Sequence, residues 1–304
     1  MPKISVIIVT IGVKDYLDKC LDSLAEQSHL PDDIIVVDNS LAQDLPVKLK
    51  KLYPAVKFLS GLQDSSYGRA LNKGINESIG DFMLCLNDDV VLDRDFIRQA
   101  LNSFMINVRI GSVSGKILRN DAKTLDSTGL FLSIWRTARE RGYGLKDKGQ
   151  FGVPGFIFGV NGAVAFFRKD MLDEVRDEYG YFDSRFRMFY EDLDLSWRAR
   201  KKGWLSYYNP CALAYHVRGG SFRPDSGIDK AFARRYLDDQ LSYELIKNRH
   251  LSILKNENIF SFFLHFIPMA VYDSFVLVYV IFFRRGVLRI YFARFINIFN
   301  RNKN

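Results

Sequence analysis

Apolar positions along this chain fall into two kinds of run. Lys3–Thr10 (KISVIIVT) and Asp33–Asp38 (DIIVVD) are short, rich in β-branched residues and almost unbroken, the pattern of strands buried on both faces. Val56–Leu59, Asp81–Leu86 (DFMLCL), Gly111–Leu118, Gly162–Phe167, Trp204–Tyr208 and Ala212–Tyr215 read as further strands. Between them apolar residues return at helical spacing. Leu17, Leu21 and Leu24 share one face of Asp15–Gln27, and Ser66–Ser78 follows as a second helix. Strands alternating with helices predict an α/β fold with a mostly parallel central sheet flanked by helices. The Gly-rich, charged segment Arg136–Gly155 interrupts this rhythm and reads as a mobile surface loop.

In a parallel sheet, ligands gather at the carboxyl ends of the strands. Thr10, Asp38 and Asn87-Asp88-Asp89 are the polar groups at those ends, so they are expected on one rim. The first strand runs into Thr10-Ile11-Gly12-Val13, with no GxGxxG, and no GxxxxGK[ST] loop is present. A dinucleotide site and a P-loop are therefore excluded. Asn and Asp are ordinary turn residues after strands. They also supply hard oxygen ligands of the kind that Mg2+ or Mn2+ takes beside a diphosphate. His216, before Gly219-Gly220, is open to three readings: a loop residue, a metal ligand or a phosphate contact.

Met188–Gly203 reads as one short helix with Phe189, Leu193 and Trp197 on its apolar stripe. Acids crowd its first turn and bases its last, which suits the helix dipole and fits a well-capped surface helix. Asp194 has Arg198 at i+4 and is assigned a structural pair. Glu191 and Asp192 have no such local base. They follow Phe189-Tyr190, whose bulk would dry their surroundings and raise their proton affinity, as a general base requires.

A hydrophobic fraction of 48% supports a real core. Cys20, Cys85 and Cys211 are widely spaced, with no CxxC pair, and two of them lie in apolar surroundings, which predicts buried thiols in a reducing compartment. No secretory signal pattern is seen at the start. The net charge of +8 is concentrated in the tail: residues 229–304 hold twelve Lys and Arg against six Asp and Glu. The same region contains Ile259–Phe283, long enough to cross a bilayer but interrupted by His265, Pro268 and Asp273. An ionised Asp inside a span is costly. Helices lying in the membrane interface, with Arg284, Arg285, Arg289 and Arg294 toward anionic headgroups, are the favoured expectation. Packing of the Phe-rich faces on the preceding α/β domain, or on a second subunit of a homo-oligomer, is the alternative. The expected division is residues 1–228 and a helical, basic and aromatic extension at 229–304.

Six pieces in order resemble the inverting family 2 glycosyltransferases of the GT-A fold: ISVIIVT, DIIVVDNS, SSYGRALNKGI, LNDDV, GYFDSRFRMFYEDLDLSWRARKKGW and NPCALAYHVRGGS. Leu125-Asp126-Ser127-Thr128-Gly129-Leu130 and Phe158-Gly159-Val160-Asn161-Gly162-Ala163 are similar to its rhamnosyltransferase branch, which acts on lipid-linked acceptors in cell-wall and O-antigen synthesis. The resemblance implies that Thr10, Asp38, Arg69, Asn72, Lys73 and Asp88 hold the nucleotide. It implies that Asp89 and His216 hold Mg2+ or Mn2+, and that Asp192, with Glu191 beside it, is the general base. Asn87 stands where the family's metal motif has its first Asp.

The implied reaction moves one sugar from a dTDP- or UDP-sugar to a lipid-linked saccharide with inversion. It would occur at the cytoplasmic face of the inner or plasma membrane, on a peripheral or monotopic enzyme that binds no nucleic acid. Two alternatives remain at this point: a nucleotidyltransferase-like enzyme, and a non-enzymatic membrane or nucleic-acid binder.

Overall fold

The computed structural model describes residues 2–12, 16–40, 49, 51–61, 66–217 and 237–294, and the backbone of 295–301. The Arg218-Gly219-Gly220-Ser221 end of the last motif and the expected boundary at 228 lie outside the described residues. In chain order come β1 (Ile4–Thr10), α1 (Tyr16–Ala25), β2 (Asp33–Asp38), β3 (Val56–Ser60), α2 (Tyr67–Asn76), β4 (Phe82–Asn87), β5 (Val90–Leu92) and α3 (Phe96–Phe104). Then follow β6 (Ile110–Arg119), β7 (Leu125–Ser127), β8 (Leu130–Leu132), β9 (Ala138–Glu140), β10 (Gly155–Ile157), β11 (Val164–Arg168), α4 (Lys169–Val175), α5 (Glu191–Lys201) and β12 (Leu205–His216). Helices α6 (Asp239–Asn256), α7 (Ile259–Phe283) and α8 (Arg285–Arg301) come last.

The main sheet has the order β10-β12-β6-β11-β4-β1-β2-β3. Strands β3, β2, β1 and β4 are parallel neighbours, and β12 is parallel to β6. Strand β11 runs antiparallel between β4 and β6, and β10 antiparallel at the edge. The sheet is thus mostly parallel, as the α/β rhythm predicts.

Each buried strand serves two cores because alternate side chains point to opposite faces. Ile4, Val6 and Ile8 of β1 join α1 and α3 on one side, while Ile7 and Val9 join α2, α4 and α5 on the other. Gly74 lets α2 lie this close: a Cβ there would stand 2.4 Å from Ile7 Cγ2.

Three local expectations differ from the structure. Segment Arg136–Gly155 contains β9, which pairs with β8, and Arg141 stacks over Tyr208 at 4.5 Å. Its Gly and charged residues mask a hairpin too short to show periodicity. The two strands expected over 204–215 are one strand, β12, with a register shift between Asn209 and Leu213 that the pattern reads as a break. The helix expected from Met188 begins at Glu191, because Phe189 and Tyr190 take left-handed backbone angles, φ 70° and 72°.

Helix α7 is long and apolar enough to cross a membrane. It lies along the rest of the fold and is tied to it at three points. Arg136 bonds Ser261 and lies 3.1 Å from His265 Nδ1 near its start. Arg249 on α6 meets Asp273 at 2.5 Å, and Arg284 at its end meets Asp239 of α6 at 3.3 Å. These ties span roughly 35 Å of helix. Away from these ties the helix exposes Phe260, Phe263, Ile267, Phe275, Phe282 and Phe283.

Candidate active site

Because β1, β2 and β4 run the same way, their ends meet on one rim. Thr10 Oγ1 donates to Asp88 Oδ2 at 2.5 Å and accepts the Gly12 N–H at 3.1 Å. Asp38 accepts the Ser40 N–H at 2.9 Å through Oδ1, while its buried Oδ2 has no hydrogen-bond partner among the described residues. Strand β12 ends on the same rim, where β5 pairs His216 with Val90. His216 Nε2 stands 3.2 Å from Asp89 Oδ1. On the other side of the ring, Nδ1 lies 2.8 Å from Asp126 Oδ2, a carboxylate on β7 with no exposure. Burial opposes a charge on His216. The facing Asp89 and the bond to Asp126 outweigh it and raise the imidazole pKa to about 10.

Asp89 is buried, and the partner of its Oδ1 is the His216 ring nitrogen 3.2 Å away. A buried carboxylate oxygen facing an imidazole nitrogen is a donor set suited to a hard divalent ion. No cluster of three or more His, Cys, Asp or Glu side chains fit to hold a metal occurs among the described residues. The remaining ligands would have to come from a bound substrate or water.

Helix α2 carries Arg69, Asn72 and Lys73 on one side, along a shallow groove of about 430 Å3 shared with Tyr179 and Ser184. Arg69 is exposed. Lys73 Nζ donates to Ser60 O at 2.7 Å, and Ser60 is paired in register with Asp38, so Lys73 borders the rim. Asn72 is engaged otherwise: its amide donates to Phe182 O at 2.7 Å and accepts from Phe182 N–H at 2.9 Å. Both ends of its amide are used to hold the chain ahead of α5.

A part-buried link joins the rim to α5. Tyr67 Oη donates to Asn87 Oδ1 at 2.7 Å and lies 3.2 Å from Gly162 O. The Gly162 N–H in turn donates to Asp192 Oδ2 at 2.9 Å. Burial first, then the charges of Cys85, Glu191, Asp192 and Asp89, push the Tyr67 phenol well above its usual pKa, so it stays a donor. Asp192 is half-buried, and its Oδ1 accepts the Leu193 N–H at 2.7 Å. Glu191 beside it is buried. Burial, then the charge of Asp192, raises its carboxyl pKa to about 8. Its Oε2 has no hydrogen-bond partner among the described residues.

Helix α6 holds this corner in place. Asn248 donates to Met188 O at 2.7 Å and to Phe189 O at 2.8 Å, which fixes the left-handed pair before α5. Left-handed non-glycine residues are strained and persist only where their surroundings over-determine them. Asp194, fully buried, accepts from Arg198 at 2.8 Å, Lys255 at 3.1 Å and Asn256 at 2.8 Å. The structural role expected for Asp194 is what the geometry shows.

Three residues of this corner were not singled out in the sequence. Asp126 lies within the LDSTG segment, legible only as part of a family resemblance. Tyr67 begins α2 with no pattern of its own. Asn248 is a polar residue inside a helix, a weak sign that its side chain bonds across to another segment.

A mostly parallel sheet between two helical layers, with carboxylates and a histidine at its strand ends, defines a transferase of the GT-A fold class. Residues 5–176 match the profile of Glycosyl transferase family 2, and the chain belongs to that family. Membership sets aside the nucleotidyltransferase-like and non-enzymatic alternatives. The chain is 25% identical over 245 residues to an N-acetylglucosaminyl-diphospho-decaprenol L-rhamnosyltransferase of Mycobacterium tuberculosis, covering 71% of this chain and 76% of that one. It is 21% identical over 222 residues to a poly-beta-1,6-N-acetyl-D-glucosamine synthase of Staphylococcus aureus, covering 70% of this chain and 49% of the synthase. In fold it is similar to the mannosyltransferase PcManGT from Pyrobaculum calidifontis in complex with GDP-Man and Mn2+. That likeness has a TM-score of 0.59 at 15% identity and covers 95% of this chain and 72% of that one.

Proposed function

We propose that this enzyme transfers one sugar, with rhamnose the leading candidate, from a nucleoside-diphosphate donor to a lipid-linked saccharide, with inversion. The observation that carries the reading is the hydrogen-bonded path Asn87–Tyr67–Gly162–Asp192. It fixes one half-exposed carboxylate at a set position relative to the rim of Asp88, Asp89 and His216.

Asp38 and Lys73 are suited to the nucleoside end of the donor, and Arg69 to its phosphates. Asp89 and His216 would hold Mg2+ or Mn2+, which when bound offsets the charge that grows on the diphosphate as the glycosidic bond breaks. Asp126 accepting from Nδ1 leaves Nε2 of His216 as the nitrogen aimed at Asp89, the usual orientation of a metal-bound imidazole. Asp192 takes the proton of the acceptor hydroxyl as that oxygen attacks the anomeric carbon. Glu191, buried beside it, is suited to no contact with the acceptor. One base and no covalent nucleophile correspond to a single displacement, and hence to inversion.

The fold's three ties to α7 support a helix lying in the membrane plane rather than spanning it. A span would carry the polar helix α6 into hydrocarbon alongside it. The exposed Phe and Ile side chains then enter the interface, as on monotopic proteins. The position agrees with an acceptor anchored in the same membrane.

The test is a donor screen. Purified enzyme is incubated with a panel of nucleotide sugars, Mg2+ or Mn2+, and a sugar linked to prenyl diphosphate. One donor should give a product of inverted anomeric configuration, and chelation or Asp89→Ala should abolish it. A metal-independent reaction, or a product of retained configuration, would overturn the proposal.

A further inference from the structure

A cavity of about 260 Å3 lies between α6, α7 and α8, away from the carboxylate rim. Its walls are apolar: Leu245 and Ile246 from α6, Val276 and Val280 from α7, Val287 from α8. The two guanidiniums at its edge are already paired, Arg249 with Asp273 and Arg284 with Asp239. What the cavity offers a ligand is mainly hydrocarbon surface.

Two further observations say what would fill it. Tyr190, the residue directly before Glu191 and Asp192, forms part of its wall. The cavity wall thus comes within two residues along the chain of the proposed base. Phe275 and Tyr279 also line it, and both are exposed on the apolar face of α7, at 73% and 44%. The cavity is continuous with the face that would meet the membrane. The polar groups at its edge, Ser242 and the paired Arg249–Asp273 among them, are few beside the apolar wall, which suits a hydrocarbon chain arriving from the bilayer better than a water-soluble ligand.

We propose that this cavity seats the first part of the acceptor's prenyl chain and so delivers the attached diphosphate sugar to Asp192. The inference rests on the reading of the acceptor as lipid-linked. The chain would be selected by shape and apolar contact, and its head group by the rim.

The experiment uses the full chain in detergent micelles, so that recruitment to a bilayer plays no part. A prenyl diphosphate bearing a photoreactive group should label peptides from α6 and α7 around Leu245 and Val276. Val276→Trp, or Leu245→Trp on the opposite wall, fills the cavity and should cut that labelling roughly ten-fold, the scale of a misfit in an apolar pocket. The two variants guard against a folding defect in either. The same variants should raise KM for a prenyl-linked acceptor about ten-fold more than KM for the same diphosphate sugar on a short alkyl group.

Labelling elsewhere, or labelling and KM ratio both unchanged in the variants, would overturn the cavity's role. Labelling in the cavity with no transfer from any donor to either acceptor would leave the cavity assigned and overturn the proposed reaction instead.

Discussion

The backbone N–H of Gly162 donates to Asp192 Oδ2 at 2.9 Å. A Cβ added at Gly162 would stand 3.3 Å from both Cβ and Oδ2 of Asp192, tighter than an ordinary contact. The position of the proposed base thus depends on a residue thirty positions earlier having no side chain. Asp192→Asn keeps the shape and an acceptor for Gly162 but removes the basic lone pair. Transfer should fall by roughly 10²-fold or more, with donor affinity little changed. Gly162→Ala should also lower kcat, by less, by displacing the carboxylate. Steady-state rates and donor titration separate the two effects. Near-normal transfer by Asp192→Asn, with loss in Glu191→Gln, would move the role to Glu191.

Asp194 should behave as a structural residue. It is fully buried and accepts from Arg198, Lys255 and Asn256. Asp194→Ala leaves buried donors without their acceptor and should cost about 3 kcal/mol of unfolding free energy. Urea denaturation measures it. An unchanged midpoint with abolished transfer would instead make Asp194 catalytic.

Glu191 should give stability a pH slope. Its carboxyl pKa is raised by burial, and then by Asp192, from 4.5 to about 8. Between those values the unfolded chain has released a proton that the folded protein keeps, so stability falls as pH rises through the window. Below it both states are protonated, and above it both are ionised. Glu191→Gln removes this contribution. Its melting temperature should fall less than that of the native chain between about pH 5 and pH 8. Equal slopes would show that Glu191 is not held neutral.

The outer face of α7 should bind membranes. Ending the chain at Asn258 removes that face but keeps the bond from Asn256 to Asp194. The shortened chain should lose affinity for anionic vesicles in co-sedimentation while its catalytic domain stays folded. Phe263→Ser with Phe282→Ser, both exposed positions, should weaken binding without truncation. Equal sedimentation of all three proteins would show that the tail only packs on the fold or on a second copy.

The sequence by itself determined the sheet and the rim. Apolar runs such as KISVIIVT and DIIVVD have one stable place, the centre of a parallel sheet, and parallel strands put Thr10, Asp38 and Asp88-Asp89 on one edge. The i+4 spacing of Asp194 and Arg198 is equally local. Tertiary structure alone decided the partners that come from far along the chain. Asp126 reaches His216 from a short strand with no periodicity to reveal it. Asn72, a candidate for the nucleotide, spends its amide on Phe182, because the loop before α5 packs against α2. Glu191 and Asp192 are adjacent, each has a residue other than Lys or Arg at i+3 and i+4, and about 100° of helix rotation separates them. Which one is buried depended on where α5 lay against the sheet, and that was fixed by Asn248, Lys255 and Asn256 from a helix that reads in sequence as the start of the tail. Local pattern specifies elements because its physics acts within a few residues. Burial and long-range hydrogen bonds act between surfaces that exist only once the elements have packed.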